Sequence, residues 1–554
     1  MPDNADEPSD GIDLDPVALE VLRNQLEGVA DEMGEVLVRG AYSPNIKERR
    51  DCSTALFDAD GRLVAQAEHI PVHLGAMPAA VDAVLDLDPA PGDAFVLNDP
   101  YAGGTHLPDV TMVSAIDRDG EILGYAASRA HHADVGGTAP GSMPAGATEI
   151  TQEGVRIPPV RLVDAGDPVD DVLELFLANV RHPEQRRADL RAQRAANERG
   201  AERLEALAAE HGIRRLRAAF DAVIDYSRER TAAEIAALPD GEYRASDALE
   251  GDGVTEDPVE IAVTVTVDGD ALTVDFAGTD EQVAGNVNAP LAVARSAVYF
   301  AVRCATDPDV PPNEGCYEPV SISAPEGSVL NPDPPAAVVG GNVETSQRVV
   351  DVVFAALSDA APDRVPAGGQ GTMNNLTIGA GGREGFTYYE TIGGGAGGRS
   401  ASDGLDGVQV GMTNTLNTPI EALETEYPLR VERYALRSDS GGAGEHRGGL
   451  GLVRSVRVLD DATVSLLTER RRTAPKGVAG GEDGVPGRNL IDGEPVPAKV
   501  TRDVSAGTTV AVETPGGGGY GDPDERASEA IERDADDGLV DERDGPSESA
   551  DESE

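Results

Sequence analysis

The sequence predicts a large mixed α+β fold, with short strands and loops in its N-terminal part, a helical middle and a β-rich C-terminal part. Three observations predict it. Residues 52–130 alternate short apolar runs with turn signals such as DADG, APGD and DRDG, the pattern of hairpins and short strands. Residues 170–237 change to Ala, Arg, Glu and Leu at helical spacing, interrupted only at His211-Gly212. Residues 286–520 are dense in Gly and Pro and carry short strand-like runs. At 554 residues and 40% hydrophobic content, the chain has enough apolar material for several packed cores.

The elements follow in order. Residues 1–14 read as a disordered leader. Asp15 can cap a helix and Pro16 suits its first position; Leu19, Leu22, Leu26, Val29, Met33 and Val36 then recur three or four apart until Gly40. Among the strands that follow, the stretch NDPYAGGTHLPDV, residues 98–110, is too broken by Gly and Pro to be core and reads as a loop between two of them. Two long helices, or three, fill residues 170–237, and their alternating charges read as solvated faces. The run EIAVTVTVDGDALTVDF predicts a hairpin, with Ile261, Val263, Val265 and Val267 facing Leu272, Val274 and Phe276 across an Asp-Gly turn. Within 286–520 one good helix is expected, SQRVVDVVFAALSDA, and the helix-like DERASEAIERDADDGLVDER precedes an acidic tail expected to be disordered. These shifts divide the chain into 1–14, 15–240, 241–520 and 521–554.

Charge narrows the function. The formal net charge is -55, from 100 acidic and 45 basic residues, and only Lys47, Lys476 and Lys499 are lysines. So negative a surface repels nucleic acid and anionic membranes, and its self-repulsion is relieved only when salt shortens the Debye length. We read adaptation to molar salt, in a halophile's cytoplasm. Cys52, Cys304 and Cys316 have neither disulfide parity nor zinc-ligand spacing and read as core fillers. The acidic N-terminus is no secretory signal and no run of 18 apolar residues occurs, so a soluble cytoplasmic protein is expected.

The chemistry gathers near the loop. His106 and Asp109 stand as H-x-x-D, where a tight turn stiffened by Pro108 brings both to one point. SRAHHADVGG then adds His131, His132 and Asp134, so three of the eight histidines fall between residues 106 and 132. Two imidazoles and one carboxylate leave open positions for water and substrate, a catalytic metal arrangement. The ligand set is His106, Asp109 and one of the histidine pair, with His131 preferred, which makes the N-terminal part metal-bearing. His69 and His73 are read first as strand-face residues, with ligation or support of a ligand as alternatives. Lys47, Arg49 and Arg50 in NIKERRD either attract an anionic group or pair with Glu48 and Asp51. GGGAGG meets G-x-G-x-x-G at Gly393, Gly395 and Gly398 but no amphipathic helix follows, and DSGG at 439–442 belongs to a glycine-rich turn. No P-loop sequence is present.

Many blocks in order resemble the hydantoinase B/oxoprolinase family, from about residue 14 to 540: NIKERRDCSTALFD, AEHIPVHLGAMP, LNDPYAGGTHLPDV, SRAHHADVGG, PPNEGC, GGNVETSQRVVD, YYETIGGGAGGR, MTNTLNTPIEALE, SGGAGEHRGGLGLVR and TPGGGGYGDP. The resemblance implies one divalent metal, Zn, Mn or Fe, held by His106, Asp109 and His131. It also implies a hetero-oligomer in which a hydantoinase A-type ATPase subunit uses ATP to phosphorylate the carbonyl oxygen of a cyclic amide. This chain then completes the opening of a hydantoin-like or 5-oxoproline ring with metal-activated water, whose pKa falls from 15.7 toward about 7. His132 or Asp134 would act as general base or orient a ligating histidine, and Glu48, Arg49, Asn98 and Arg129 would orient the phosphorylated intermediate. The same resemblance admits the large subunit of an ATP-dependent ketone carboxylase, of acetone or acetophenone type. A binding role without turnover is a third reading.

Unfolding followed against salt concentration is expected to show stability rising steeply from dilute buffer to molar salt, where the Debye length is about 3 Å. Equal stability in both would remove the argument from charge.

Overall fold

The computed structural model describes residues 14–381 and 385–540. The expected leader, apart from its last residue, and the expected acidic tail beyond residue 540 lie outside the described residues. Within them the chain is mixed α and β, built on four sheets. In the first, β1 (Cys52–Asp58), β2 (Leu63–Glu68), β3 (Ala94–Leu97), β4 (Asp109–Arg118), β5 (Glu121–His131), β6 (Val160–Asp164) and β7 (Asp167–Pro168) run in the order β2-β1-β5-β4-β3-β6-β7, every pair antiparallel.

Alternation along these strands feeds two cores. Leu56 and Ala126 face the helices Pro16–Gly40 and Pro183–His211, packing with Leu26, Met33, Ala196 and Leu204. Phe57, Val113 and Tyr125 point the other way, against Met77 and Val81 of the helix Met77–Leu85. That helix corrects the reading of 52–130 as strands and hairpins alone: MPAAVDAVL is short, and its apolar spacing resembles that of its strand neighbours. Asp15 caps the first helix as expected, accepting from the N–H groups of Val17 and Ala18 at 3.0 Å. The helical middle comprises Asp170–Leu177, Pro183–His211 and Ile213–Ile235. No helix among the described residues is long and apolar enough to cross a membrane.

The second sheet, β8 (Gly241–Leu249), β9 (Val259–Asp268), β10 (Ala271–Asp275) and β11 (Val320–Ser323), contains the expected hairpin, with Val267 opposite Leu272 and Val265 opposite Val274. Its apolar face packs on two helices, Leu291–Ala305 and Ser346–Ala360. Only the second is expected from sequence; LAVARSAVYFAVRCA follows so soon after Gly and Pro that its helical spacing is masked. Cys52 and Cys316 are buried, but Cys304 in the unexpected helix is exposed, so it is not a core filler.

The last two sheets face each other. β13 (Phe386–Glu390) and β12 (Asn375–Ala380) join β16 (Ala462–Leu467) and β19 (Lys499–Val504). Opposite them stand β14 (Leu429–Arg437), β15 (Gly451–Val458), β20 (Thr509–Glu513), β17 (Arg488–Ile491) and β18 (Glu494–Val496). Leu376, Ile378, Val456, Val464, Leu466, Val510 and Val512 fill the space between, as in a sandwich.

Beside this sandwich the run Gly516–Gly519 forms the axis of an all-backbone core. Gly517 bonds to Gly449 and Gly442, Gly518 to Gly368 and Gly398, and Gly519 to Glu482 and Val478, so successive residues serve three different neighbouring segments. A Cβ on any of the four would overlap the carbonyl oxygen of Ser440, Ala396, Lys476 or Ala443. Glycine is required here for closeness of approach, since hydrogen-bonded neighbours surround the segment. Gly517→Ala is expected to cost about 3 kcal/mol or more, the upper end for overpacking because the obstruction is backbone, and thermal unfolding in molar salt measures it.

Candidate metal centre

The centre is made by strand register. Asp109, the first residue of β4, is the Cα partner of His131, the last of β5, and Thr111 is the partner of Arg129. All four side chains therefore share one face of the sheet. His106 reaches the same point from the turn before β4, its Nε2 lying 3.1 Å from Asp109 Oδ1. His131 Nδ1 lies 3.4 Å from that oxygen. Single ligand atoms of His106, Asp109 and His131 all fall within 4.8 Å of one another, and the three residues are buried.

A fourth histidine joins them. His73 is not on a strand: it closes the turn Pro71–His73 and brings Nε2 to 3.5 Å from Asp109 Oδ2, while Nδ1 lies 3.0 Å from Ser53 Oγ. Thr105 Oγ1 donates to Asp109 Oδ2 at 2.9 Å. Burial pushes the Asp109 carboxyl up, but His106, His131 and His73 outweigh it and hold the group well below the usual carboxylate range.

These residues fit a cation. Both ring nitrogens of His106, and Nε2 of His73 and of His131, are buried without a directed hydrogen bond. Burying so many unsatisfied nitrogens around one carboxylate is costly unless something else satisfies them. A buried His-Asp-His group of this kind can hold a metal ion, and two imidazoles with one carboxylate suit Zn, Mn or Fe.

The walls come from distant sequence. Tyr389 of β13 stacks on His131, ring centroids 4.7 Å apart and planes 8° from parallel. Arg49 lies 4.8 Å from the Tyr389 centroid and donates to Tyr389 O at 2.8 Å and to Thr391 Oγ1 at 2.8 Å. Tyr389 OH donates to Asn375 Oδ1 at 2.9 Å, and Asn375 donates to Glu344 at 2.8 Å. Burial, then the neighbouring Glu469, pushes Glu344 up to about 8. Asp51 Oδ2 is 4.0 Å from His131 Nδ1. Asp51, Tyr389 and Glu344 escape a reading of the sequence because no spacing links residues 51, 344 and 389 to the histidines. The YYETIGGG block holds the one available signal, a buried-type aromatic pair beside an acid.

Other expected residues separate into those at the centre and those behind it. Arg129 is at the centre: Nε donates to Thr111 Oγ1 at 2.8 Å, and Nη1 is buried without a partner. Burial lowers it to about 10 although Asp109 opposes the shift. Asn98 is not available to a substrate. Its amide donates to Leu107 O and Val155 O and accepts from Ile157 N, clamping the loop that carries His106. His132 points to the opposite face, 3.0 Å from Gln193 Oε1, and burial, with Arg186 nearby, lowers it to about 4. Asp134 is spent on the N–H groups of Gly136 and Gly141 and on Arg181. Neither is placed to exchange a proton at the centre. Glu48 is half-buried with no ion pair or side-chain hydrogen bond among the described residues. The basic cluster does not pair with Glu48 or Asp51: Arg49 bonds backbone and threonines, Arg50 reaches Glu35 at 3.5 Å, and Lys47 is exposed. His69 packs on Gly34 of the first helix.

Comparison with known proteins agrees with this architecture. The hydantoinase B/oxoprolinase family model matches residues 15–523. An Arabidopsis thaliana protein named 5-oxoprolinase 1 is 40% identical over 92% of the chain, which spans 42% of that relative's length. A Pseudomonas sp. (strain NS671) protein, provisionally named as the B-type subunit of a D-/L-hydantoinase, is 34% identical over 95% of this chain and 93% of its own. The crystal structure of ATP-dependent caprolactamase from Pseudomonas jessenii superposes with a TM-score of 0.88 at 32% identity, covering 95% of this chain and 94% of that one. The chain belongs to the hydantoinase B/oxoprolinase family.

Metal analysis of the purified protein is expected to find about one divalent ion per chain, lost in Asp109→Ala. His73→Ala should weaken metal binding about 10–100-fold, as removal of a group supporting a ligand does. His132→Ala should keep the metal and lower only thermal stability. Stoichiometric metal in Asp109→Ala would contradict the assignment.

Proposed function

We propose, with that family membership as premise, that this chain is the B-type subunit of an ATP-dependent cyclic amide hydrolase. It acts on hydantoin-like or 5-oxoproline rings whose carbonyl oxygen an A-type ATPase partner has phosphorylated. The observation that carries the reading is the set of buried imidazole nitrogens gathered around Asp109 without a directed hydrogen bond. Names among the relatives, 5-oxoprolinase and D-/L-hydantoinase, support the reaction class.

A cyclic amide resists water because its carbonyl is resonance-stabilised, and phosphorylation of the oxygen removes that protection. His106, Asp109 and His131 would hold a divalent cation, which when bound would supply Lewis acidity for activating water near neutral pH. The remaining work falls to the chain's own residues. Tyr389 stacks on the His131 ring and Asn375 holds the Tyr389 hydroxyl, with Asp51 4.0 Å from His131 Nδ1. We assign the proton transfer to His73: with Nδ1 3.0 Å from Ser53 Oγ and Nε2 3.5 Å from Asp109 Oδ2, it would take a proton from attacking water and return it to the departing ring nitrogen. As the ring carbon–nitrogen bond breaks, the proton of the newly added hydroxyl also passes to that nitrogen, leaving a free amine and an acyl phosphate, which a second water converts to carboxylate and phosphate. Arg129 Nη1, a buried donor without a partner, is available to the phosphoryl oxygens. Solvation of the acidic surface by concentrated salt accompanies this chemistry without entering it.

The test is co-expression with an A-type partner and ATP-dependent loss of hydantoin, N-methylhydantoin, 5-oxoproline and acetone in molar salt. Loss of a cyclic amide is expected, reduced at least 10²-fold in His106→Ala, on the order of a lost catalytic group. Unchanged activity in His106→Ala would overturn the site. ATP- and bicarbonate-dependent loss of acetone alone would assign the chain to ketone carboxylation.

A further inference from the structure

Glu344 is a fully buried acid close to the centre, and no cation makes an ion pair with it among the described residues. It sits on a π-helical turn, Gly341–Thr345, that runs into the helix Ser346–Ala360. Turns of this width are rare and occur mostly at functional sites. Burial and the like charge of Glu469 outweigh Lys499 and Arg471, so the carboxyl, pushed up to about 8, is largely neutral at pH 7.

The acid faces Asn375, the first residue of β12. Glu344 Oε1 accepts from Asn375 Nδ2 at 2.8 Å and from Met373 N at 3.2 Å. Asn375 Nδ2 also donates to Leu467 O at 2.9 Å, on the neighbouring strand β16. Both hydrogens of the amide are thus committed, and its oxygen is left facing Tyr389, whose hydroxyl donates to it at 2.9 Å. An amide turned over would set its oxygen against two acceptors, Leu467 O and Glu344 Oε1. The tyrosine carries the constraint onward. Its ring lies 8° from parallel to His131 with centroids 4.7 Å apart, and Arg49 lies 4.8 Å from the same centroid. Rotation of the stacked imidazole would break that contact.

We propose that Glu344 is a positioning residue for His131. It fixes the amide of Asn375, Asn375 fixes the Tyr389 hydroxyl, and the Tyr389 ring fixes the plane of the imidazole. Glu344 itself touches neither metal nor substrate. The inference rests on the metal-centre reading and is independent of which substrate the chain acts on.

The test uses the full chain in molar salt, labelled with carbon-13 at histidine Cε1. The chain has eight histidines, and the resonance absent from His131→Gln belongs to His131. In the metal-free protein at constant pH, the ring current of Tyr389 makes that resonance a reporter of the stacking. Glu344→Leu should move it, and Glu344→Gln, which keeps the shape and the acceptor of the neutral acid, should leave it in place. Tyr389→Phe keeps the ring and removes the hydroxyl, so in that background Glu344→Leu should add nothing, because the chain of contacts is already cut. Zinc affinity, measured by competition with a chelating dye, should follow the same pattern, about tenfold weaker in Glu344→Leu, the lower end for a group supporting a ligand, and unchanged in Glu344→Gln. If Glu344→Leu does not fold, Asn375→Ser cuts the chain of contacts in its middle and is read in the same way. The proposal is overturned if Glu344→Leu lowers the unfolding temperature but leaves the His131 resonance and the zinc affinity where they were. It is equally overturned if Glu344→Leu moves them as far in Tyr389→Phe as in the wild type. Zinc binding without any effect of Glu344 removes this inference alone; a wild-type chain that binds no zinc removes the metal-centre reading and this inference with it.

Discussion

Asp109 faces His131 because of one choice of register between β4 and β5. A slip of one residue would set Ala130 opposite Asp109 and turn His131 away, since side chains alternate between faces. The register is clamped from behind. Gln193, on the helix Pro183–His211, donates from one amide nitrogen to Val110 O on β4 and Ser128 O on β5, and its oxygen meets His132. On the front face Arg129 donates to Thr111 across the same two strands. The adjacent histidines thus divide the labour: His131 presents nitrogen to the centre while His132 helps keep it there. Further pieces, the His73 turn and the Tyr389 strand, dock onto a pair of strands whose alignment is already fixed.

The parts of the centre legible in sequence are those carried by short spacing. H-x-x-D and the following histidine pair fall within one hairpin and its preceding loop, so linear distance stands in for spatial distance. His73 is visible as a histidine but not as a neighbour of Asp109, because the turn that aims it depends on packing between Pro71 and elements far along the chain. Asn98 and Asp134 show the opposite error. Both are polar residues in glycine-rich loops near the histidines, and both are fully occupied in holding those loops. Composition near a site does not separate a group that waits for a substrate from one already satisfied; only the hydrogen-bond partners do. For the fold, period-two alternation reveals the hairpin at 259–275, while the helix at 291–305 is hidden by the Gly and Pro residues that lead into it.

Charge is distributed with a clear sense. The surface is acidic, yet Arg49, Arg129, Arg186, Arg348 and Arg454 are among the largest fully buried side chains. Arginine suits this interior because its rigid fork satisfies several acceptors at once. Arg348 meets Asp247 and Asp351 at 2.8 and 3.0 Å, and Arg454 meets Glu390, next to Tyr389, through two nitrogens. Arg49 and Arg129 differ in that no carboxylate makes an ion pair with either among the described residues. Positive charge left over inside an otherwise acidic molecule is concentrated beside the candidate metal centre, where an anionic intermediate would benefit from it.

The glycine run at 516–519 has a consequence for biosynthesis. The loops it holds together, around residues 368, 398, 442, 449 and 482, all leave the ribosome before it does. Until residue 519 has emerged, those loops lack the backbone partners that pin them, although every strand of the first sheet has already been synthesised. Translation order therefore makes these glycine-pinned loops a later piece to set than the strands of the first sheet.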